Sequence, residues 1–170
     1  MKNCSVKIIK FFSVLVFLAA EIHGGAAYCA NTAAVTASAS IVSPIAVERV
    51  SDLAFGSIVQ GQSGTVVISP GGDRASTGLD VVASSGKGAA SFNVSGQTHS
   101  TFSVQLPDSI QITANGNSMN VDSFTTNLSG NTGVISGDTA RVDVGATLHV
   151  NEGQSLGDYT GSFTITVCYN

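Results

Sequence analysis

The chain has 170 residues, with 43% hydrophobic, 6% aromatic and 11% charged residues and no tryptophan. From Asn31 onward only Arg49, Arg74, Lys87 and Arg141 oppose ten acidic residues, a net charge of −6, which argues against nucleic acid and against an anionic membrane surface as partners. The length beyond the N-terminal stretch suits one domain with a proper core and is too short for two ordinary ones.

Lys2, Lys7 and Lys10 precede an apolar run from Phe11 to Ala20, and small residues follow from Gly24 to Ala30. This is the layout of a cleaved secretory signal peptide over residues 1–30, with processing expected at about 27–30. The run is short for a membrane span, and no later run could serve as one. Export places the chain in the periplasm in transit and then at the cell surface or outside it. Cys4 leaves with the signal, so Cys168 is alone unless Cys29 survives processing; a Cys29 to Cys168 bridge would then be available, but no disulfide framework exists.

No stretch reads as a helix of ordinary length. Ser, Thr, Gly, Val and Ala dominate, and glycine-bearing turns recur every eight to twelve residues, the pattern of an all-β sandwich or barrel. Residues 31–43 form an N-terminal amphipathic strand, with Ala33, Val35, Ala37, Ala39 and Ile41 on one face, and residues 44–170 form the sandwich domain. Pro44 interrupts the first strand because proline cannot donate to a ladder. A second strand, about Ile45 to Val50, leads to Leu53-Ala54-Phe55-Gly56. Thr65 to Ser69 is a strand closed by Pro70-Gly71-Gly72, Arg74 to Gly78 a polar loop, and Leu79 to Ala83 a strand.

Ala89 to Ser95 and Thr101 to Leu106 continue the series, with Pro107-Asp108 as a turn. Ile110 to Ala114 and Met119 to Phe124 flank Asn115-Gly116-Asn117, a hairpin signal because Asn and Gly tolerate positive φ. Gly130 to Gly133 marks another turn. Ala140 to Val150 reads as one long strand bent near Gly145, and Asn151 to Gly157 as a polar loop. The final stretch, Gly157 to Asn170, alternates strictly: Tyr159, Phe163, Ile165, Val167 and Tyr169 share one face, and Thr160, Ser162, Thr164, Thr166 and Cys168 the other.

The residues give no positive case for an enzyme, a cofactor or a metal. His99 and His149 lie fifty residues apart with no carboxylate at ligand spacing. The carboxylates are scattered beside turns, where Asp bonds its own backbone, and no serine sits in a nucleophile-elbow pattern. Pro70 to Arg74 reads as a turn rather than an anion nest. Asn93-Val94-Ser95 and Asn127-Leu128-Ser129 match the glycosylation triplet, which arises often by chance in a chain rich in Asn and Ser.

A sandwich one strand short would expose a groove, and the amphipathic Ala33 to Val42 segment is the right object to fill it. Donated by a neighbouring copy it grows a filament, and folded back it makes a monomer. Ordering the backbone costs about 1–2 kcal/mol per residue, so the segment is expected to be unstructured unless a groove receives it.

The last fourteen residues resemble the end of chaperone–usher fimbrial subunits, with Tyr169 penultimate and Gly157 fourteen from the end. More of the chain is similar to the bacterial secreted family numbered 4402 in the domain-of-unknown-function series. The similarity is carried by Pro44-Ile45, Leu53-Ala54-Phe55-Gly56, Gly64-Thr65-Val66, Ser69-Pro70, Arg74, Thr77-Gly78, Met119 to Phe124, Val144 to Leu148 and Gly157 to Tyr169. These resemblances imply an immunoglobulin-like Greek-key β-sandwich of fimbrial-subunit type. They also imply a homopolymer or other fimbrial subunits, a periplasmic chaperone and an outer-membrane usher as partners. The lone mature cysteine, and a donor segment with alanines and no glycine, depart from the common fimbrial pattern and fit a divergent member better. The rival expectation is a monomeric, self-complemented adhesive or carbohydrate-binding module. It would need exposed aromatics, and most of the few aromatics here fall on core faces.

Overall fold

The structure, a computed structural model, describes residues 32–170; the signal segment and Cys29 lie outside the described residues. Residues 32–39 fall in a unit of their own, and Ser40–Asn170 form the other. In residues 32–45 the backbone makes no regular element. The amphipathic strand expected over Ala33 to Val42 is therefore absent, which is what backbone entropy dictates for a segment without a partner strand.

Ten strands follow. They are β1 (Ala46–Ser51), β2 (Gly64–Ile68), β3 (Arg74–Thr77), β4 (Ala90–Ser95), β5 (Thr101–Gln105), β6 (Ser109–Ala114), β7 (Asn117–Thr126), β8 (Thr132–Val134), β9 (Thr139–Val150) and β10 (Thr166–Tyr169), with one 3₁₀ turn at Ser129–Asn131. Every pairing is antiparallel. The larger sheet runs β1-β4-β9-β2-β3, with β7 also bonded to β9 and β6 to β7, and the smaller runs β10-β5-β8. The described residues are all-β, with two antiparallel sheets.

The long strand β9 is the spine. Residues 139–144 pair with β4, residues 146–150 with β2, and residues 144–149 with β7. The change of partner falls at Gly145, where a Cβ would stand 2.1 Å from the Ile68 carbonyl oxygen as the chain leaves β2 through Ser69-Pro70. The inward residues Val142, Val144, Ala146, Leu148 and Val150 are buried, as the period of two requires. Val142 and Val144 pack with Val94, Phe102, Val104 and Ile135 between the two sheets. Leu148 and Val150 pack with Val66, Leu79, Met119 and Val121.

Local chemistry sets the register elsewhere. Asn115 and Gly116 take φ of 50° and 80° and make the two-residue loop that joins Ala114 to its partner Asn117. In β7 the register slips between Asp122 and Thr125, and Ser123 takes φ of 51° at this bulge. Asn127 extends the ladder with its side chain, its Oδ1 accepting the Asp143 N–H at 2.9 Å and its Nδ2 donating to the Arg141 carbonyl. The amide of that glycosylation triplet is thus committed to the sheet.

Three further expectations are corrected. Arg74 to Thr77 is a strand rather than a loop, because it pairs with Ile68 to Thr65 across Pro70-Gly71-Gly72. Leu79 to Ala83 is no strand; a single bridge joins Val81 to Ile58, and Leu79 turns into the core. The strand expected over Gly157 to Asn170 is a ladder only at Thr166–Tyr169, preceded by one bridge at Thr160. Its partner runs along β5 and then β6, and between them Pro107 cannot donate, so no regular pairing exists opposite Ser162 to Ile165.

On the outer face, Asp122 beside the bulge accepts a hydrogen bond from Ser123 and one from Asn120, and its Oδ1 lies 2.9 Å from His149 Nε2 on β9. The His149 hydrogen bond, foremost, holds the Asp122 carboxyl below its ordinary pKa. A carboxyl depressed on folding stabilises above its unfolded value of about 3.9 and loses that contribution as pH falls through the folded value. Urea unfolding measured from pH 6 down to pH 2 should therefore show Asp122→Asn losing less stability than the wild type below about pH 4; parallel curves would contradict the assignment.

Candidate functional site: an open groove between two unpaired strand edges

The terminal segment keeps its alternation. Tyr159, Phe163, Ile165, Val167 and Tyr169 are half-buried, while Thr160, Ser162, Thr164, Thr166 and Cys168 are exposed. Gly161 backs onto the Gln111 carbonyl of β6, and Gly157 lies against Ala114 and Asn115 at the β6–β7 hairpin. The Phe163 ring sits between Phe92, edge-on at 6.4 Å, and Phe124 at 5.0 Å. Ile165, Val167 and Tyr169 pack on the same inter-sheet cluster. Cys168 is exposed and has no disulfide partner among the described residues.

One edge of this segment is taken by Thr113 and by β5, and the other pairs with no described strand. β1 is likewise the last strand of the larger sheet. Val47 pairs with the fully buried Val94, yet 42% of it is exposed. A core-facing valine in that state lacks a neighbour on its outer side.

Between the end of β1 with the loop that follows it and the start of the terminal segment lies a groove of about 930 Å³. Its walls are Arg49 with residues 51–62 and residues 154–163, and its floor includes Phe92, Ile110, Ile112, Met119, Val121 and Leu148. Native cores are close-packed, and a void of this size lined by core side chains is space a further element would fill. Arg49 and Asp52 at one lip form an exposed ion pair. At the other end Gln60 Nε2 reaches the Gln154 carbonyl at 3.1 Å, and Gln154 in turn donates to the Tyr159 hydroxyl at 2.8 Å.

One cation braces the first wall. Arg74 on β3 donates to the Phe55 carbonyl at 3.1 Å, to Ser85 Oγ at 2.9 Å and to the Val82 carbonyl at 2.7 Å. Gly56, at φ of 80°, makes room: a Cβ there would stand 2.2 Å from Arg74 Nη1. The planar fork of the guanidinium suits several fixed acceptors at once. No spacing rule connects Arg74 to Phe55 in advance, since the link depends on β3 folding over the wall.

The donor-face residues Ala33, Val35, Ala37, Ala39 and Ile41 are all exposed, Val35 at 92% and Ile41 at 100%. His99 and His149 stay apart: His99 N–H bonds the Ile135 carbonyl in a turn, and His149 pairs with Asp122.

A sequence model described as a domain of unknown function (DUF4402) matches residues 45–169. The chain belongs to that family. No curated protein and no solved structure matches the chain. The DUF4402 match takes in both walls and the floor of the groove, and residues 32–44 precede it. Stretches of the chain that resemble the family meet in space: Arg74 meets Leu53-Ala54-Phe55-Gly56, and Gly145 meets Ser69-Pro70.

Arg74→Ala should lower the unfolding free energy by about 1–3 kcal/mol, because it strips a donor from part-buried carbonyls. Arg74→Lys should recover little of that, since an ammonium cannot span three acceptors. Gly56→Ala should also destabilise, and the Gly56→Ala, Arg74→Ala double variant should lose less than the sum, as both act on one contact. Urea denaturation of the wild type and the four variants checks this; strict additivity of the two alanine substitutions would contradict it.

Proposed function

We propose that the protein is a structural subunit of a bacterial surface fimbria, polymerised by strand donation and supporting adhesion or biofilm formation. The observation that carries this reading is the open, largely apolar groove bounded by the end of β1 with the loop after it and by the terminal segment, whose outer edge is unpaired. An antiparallel sandwich of immunoglobulin type lacking one strand has this form, and a strand laid into it closes two edges at once.

The occupant is the Ala33 to Ile41 face of a second copy. It has the right period, carries no charge from Asn31 to Val47, and is exposed. Its nine residues suit the eleven from Tyr159 to Tyr169. Filling the groove with Val35 and Ile41 gains about 1.5–3 kcal/mol each, and the new main-chain hydrogen bonds contribute about 0.5–1.5 kcal/mol apiece. A head-to-tail contact of this kind does not close on itself and so grows a filament. A subunit with such a groove needs a temporary strand on its way out, which is the role of a periplasmic chaperone, with an outer-membrane usher as the exit. Export follows from the signal-type N-terminus. The terminal face of Tyr159, Phe163, Ile165, Val167 and Tyr169 is the wall that both chaperone and donor strand would pair.

The test is the secreted full-length protein run on a denaturing gel before and after boiling. A heat-labile ladder is expected, and it should collapse when residues 32–43 are removed or when Val35→Asp and Ile41→Asp are introduced together. A single monomer band in both lanes, unchanged by these alterations, contradicts strand donation and favours the monomeric, self-complemented module.

A further inference from the structure

The Tyr169 hydroxyl makes two hydrogen bonds. It donates to the Ser43 carbonyl at 2.9 Å and accepts from the Gln97 N–H at 2.6 Å. Three features hold it there. The Tyr169 backbone is paired with Phe102 in the β10–β5 ladder, and its ring packs on the inter-sheet core. Gly96 leaves the space, since a Cβ there would stand 2.2 Å from the hydroxyl oxygen. Ser43 is the residue at which the N-terminal extension meets the domain, three positions before β1 begins at Ala46. The last residue of the terminal strand thus grips the root of the extension.

We infer that this contact is a latch that keeps the extension out of its own groove and so reserves the groove for a strand from another molecule. The inference rests on the strand-donation reading and adds its regulation. β1 runs away from Ser43, so the extension could enter its own groove only by reversing over Ser43, Pro44 and Ile45 and returning along the outer edge of β1. That hairpin needs the Ser43 carbonyl free to turn, whereas Tyr169 holds it toward the terminal strand. Pro44 biases Ser43 to extended backbone, which carries the chain straight out of the latch. Ile41, two residues upstream of Ser43, is wholly exposed. A donor from another copy ends its inserted stretch at Ile41 and asks nothing of the acceptor's Ser43, so the latch discriminates between the two sources of the same strand.

Tyr169→Phe removes the hydroxyl and keeps the ring. The wild-type and variant full-length proteins, at equal concentration, are separated into monomer and multimer by size exclusion without heating. The monomer fraction is then digested briefly with proteinase K and read by mass spectrometry. The variant should shift roughly two- to tenfold toward monomer, the range one hydrogen bond commands, and residues 32–42 of that monomer should resist cleavage while those of the wild-type monomer are removed. Protection of the extension is the decisive readout, because a variant whose groove is merely damaged would give more monomer with a cleavable extension. That result, or an unchanged partition, overturns the latch. If the wild type forms no multimer, strand donation itself fails, and the latch is still judged by cleavage: equal cleavage of both monomers overturns it. Should Tyr169→Phe fail to fold, Gly96→Ala, which displaces the hydroxyl, is read in the same way.

Discussion

A strand edge is a row of main-chain donors and acceptors that must find partners in protein or water. Here two such edges, those of β1 and the terminal segment, flank a largely apolar trough whose first wall is the end of β1 and the loop after it. Water can satisfy the polar groups but not the trough, and a loop could cover the trough but not the edges. A strand with alternating apolar residues satisfies both. The half-exposed state of Val47, beside the fully buried Val94, follows from the same vacancy.

The rest of the domain is arranged so that this trough keeps its form. β9 ties the two halves of the core by changing partners at Gly145. Arg74 braces the loop wall, alongside the bridges at Ala54 and Ile58 and the Gln60 contact to Gln154. The opposite wall is fixed by Phe163 between Phe92 and Phe124 and by the Tyr169 hydroxyl. Rigid walls matter energetically, because a groove that collapsed when empty would have to reopen before binding, and that cost would be subtracted from every contact the strand makes.

Much of this was legible in the sequence where a single local rule governs. The all-β class, the Asn115-Gly116 hairpin, the long bent strand at β9 and the alternating terminal face each follow from period and turn chemistry. The failures share a cause. Arg74 to Thr77 looked like a loop because its residues are polar, yet its backbone pairs with β2. Leu79 to Ala83 looked like a strand because most of its residues are apolar, yet only Leu79 enters the core and Val81 alone is bridged, to Ile58. The Ser162 to Ile165 interruption depends on Pro107, more than fifty residues away. Pairing partners distant in sequence decide such elements, and composition does not carry that information. The same holds for the site: its terminal wall was visible in the alternation, whereas the Arg74 brace and the Ser43 contact arise only once the chain has folded.

If the trough receives the Ala33 to Ile41 strand of another copy, that strand supplied as a peptide must protect both edges. Amide hydrogen exchange on the chain lacking residues 32–43, with and without a synthetic peptide of those residues, reads this out. Saturating peptide should slow exchange at amides of Ala46–Ser51 and Tyr159–Tyr169 together, with little change at β3. Exchange unaltered at both edges in a folded protein would contradict it.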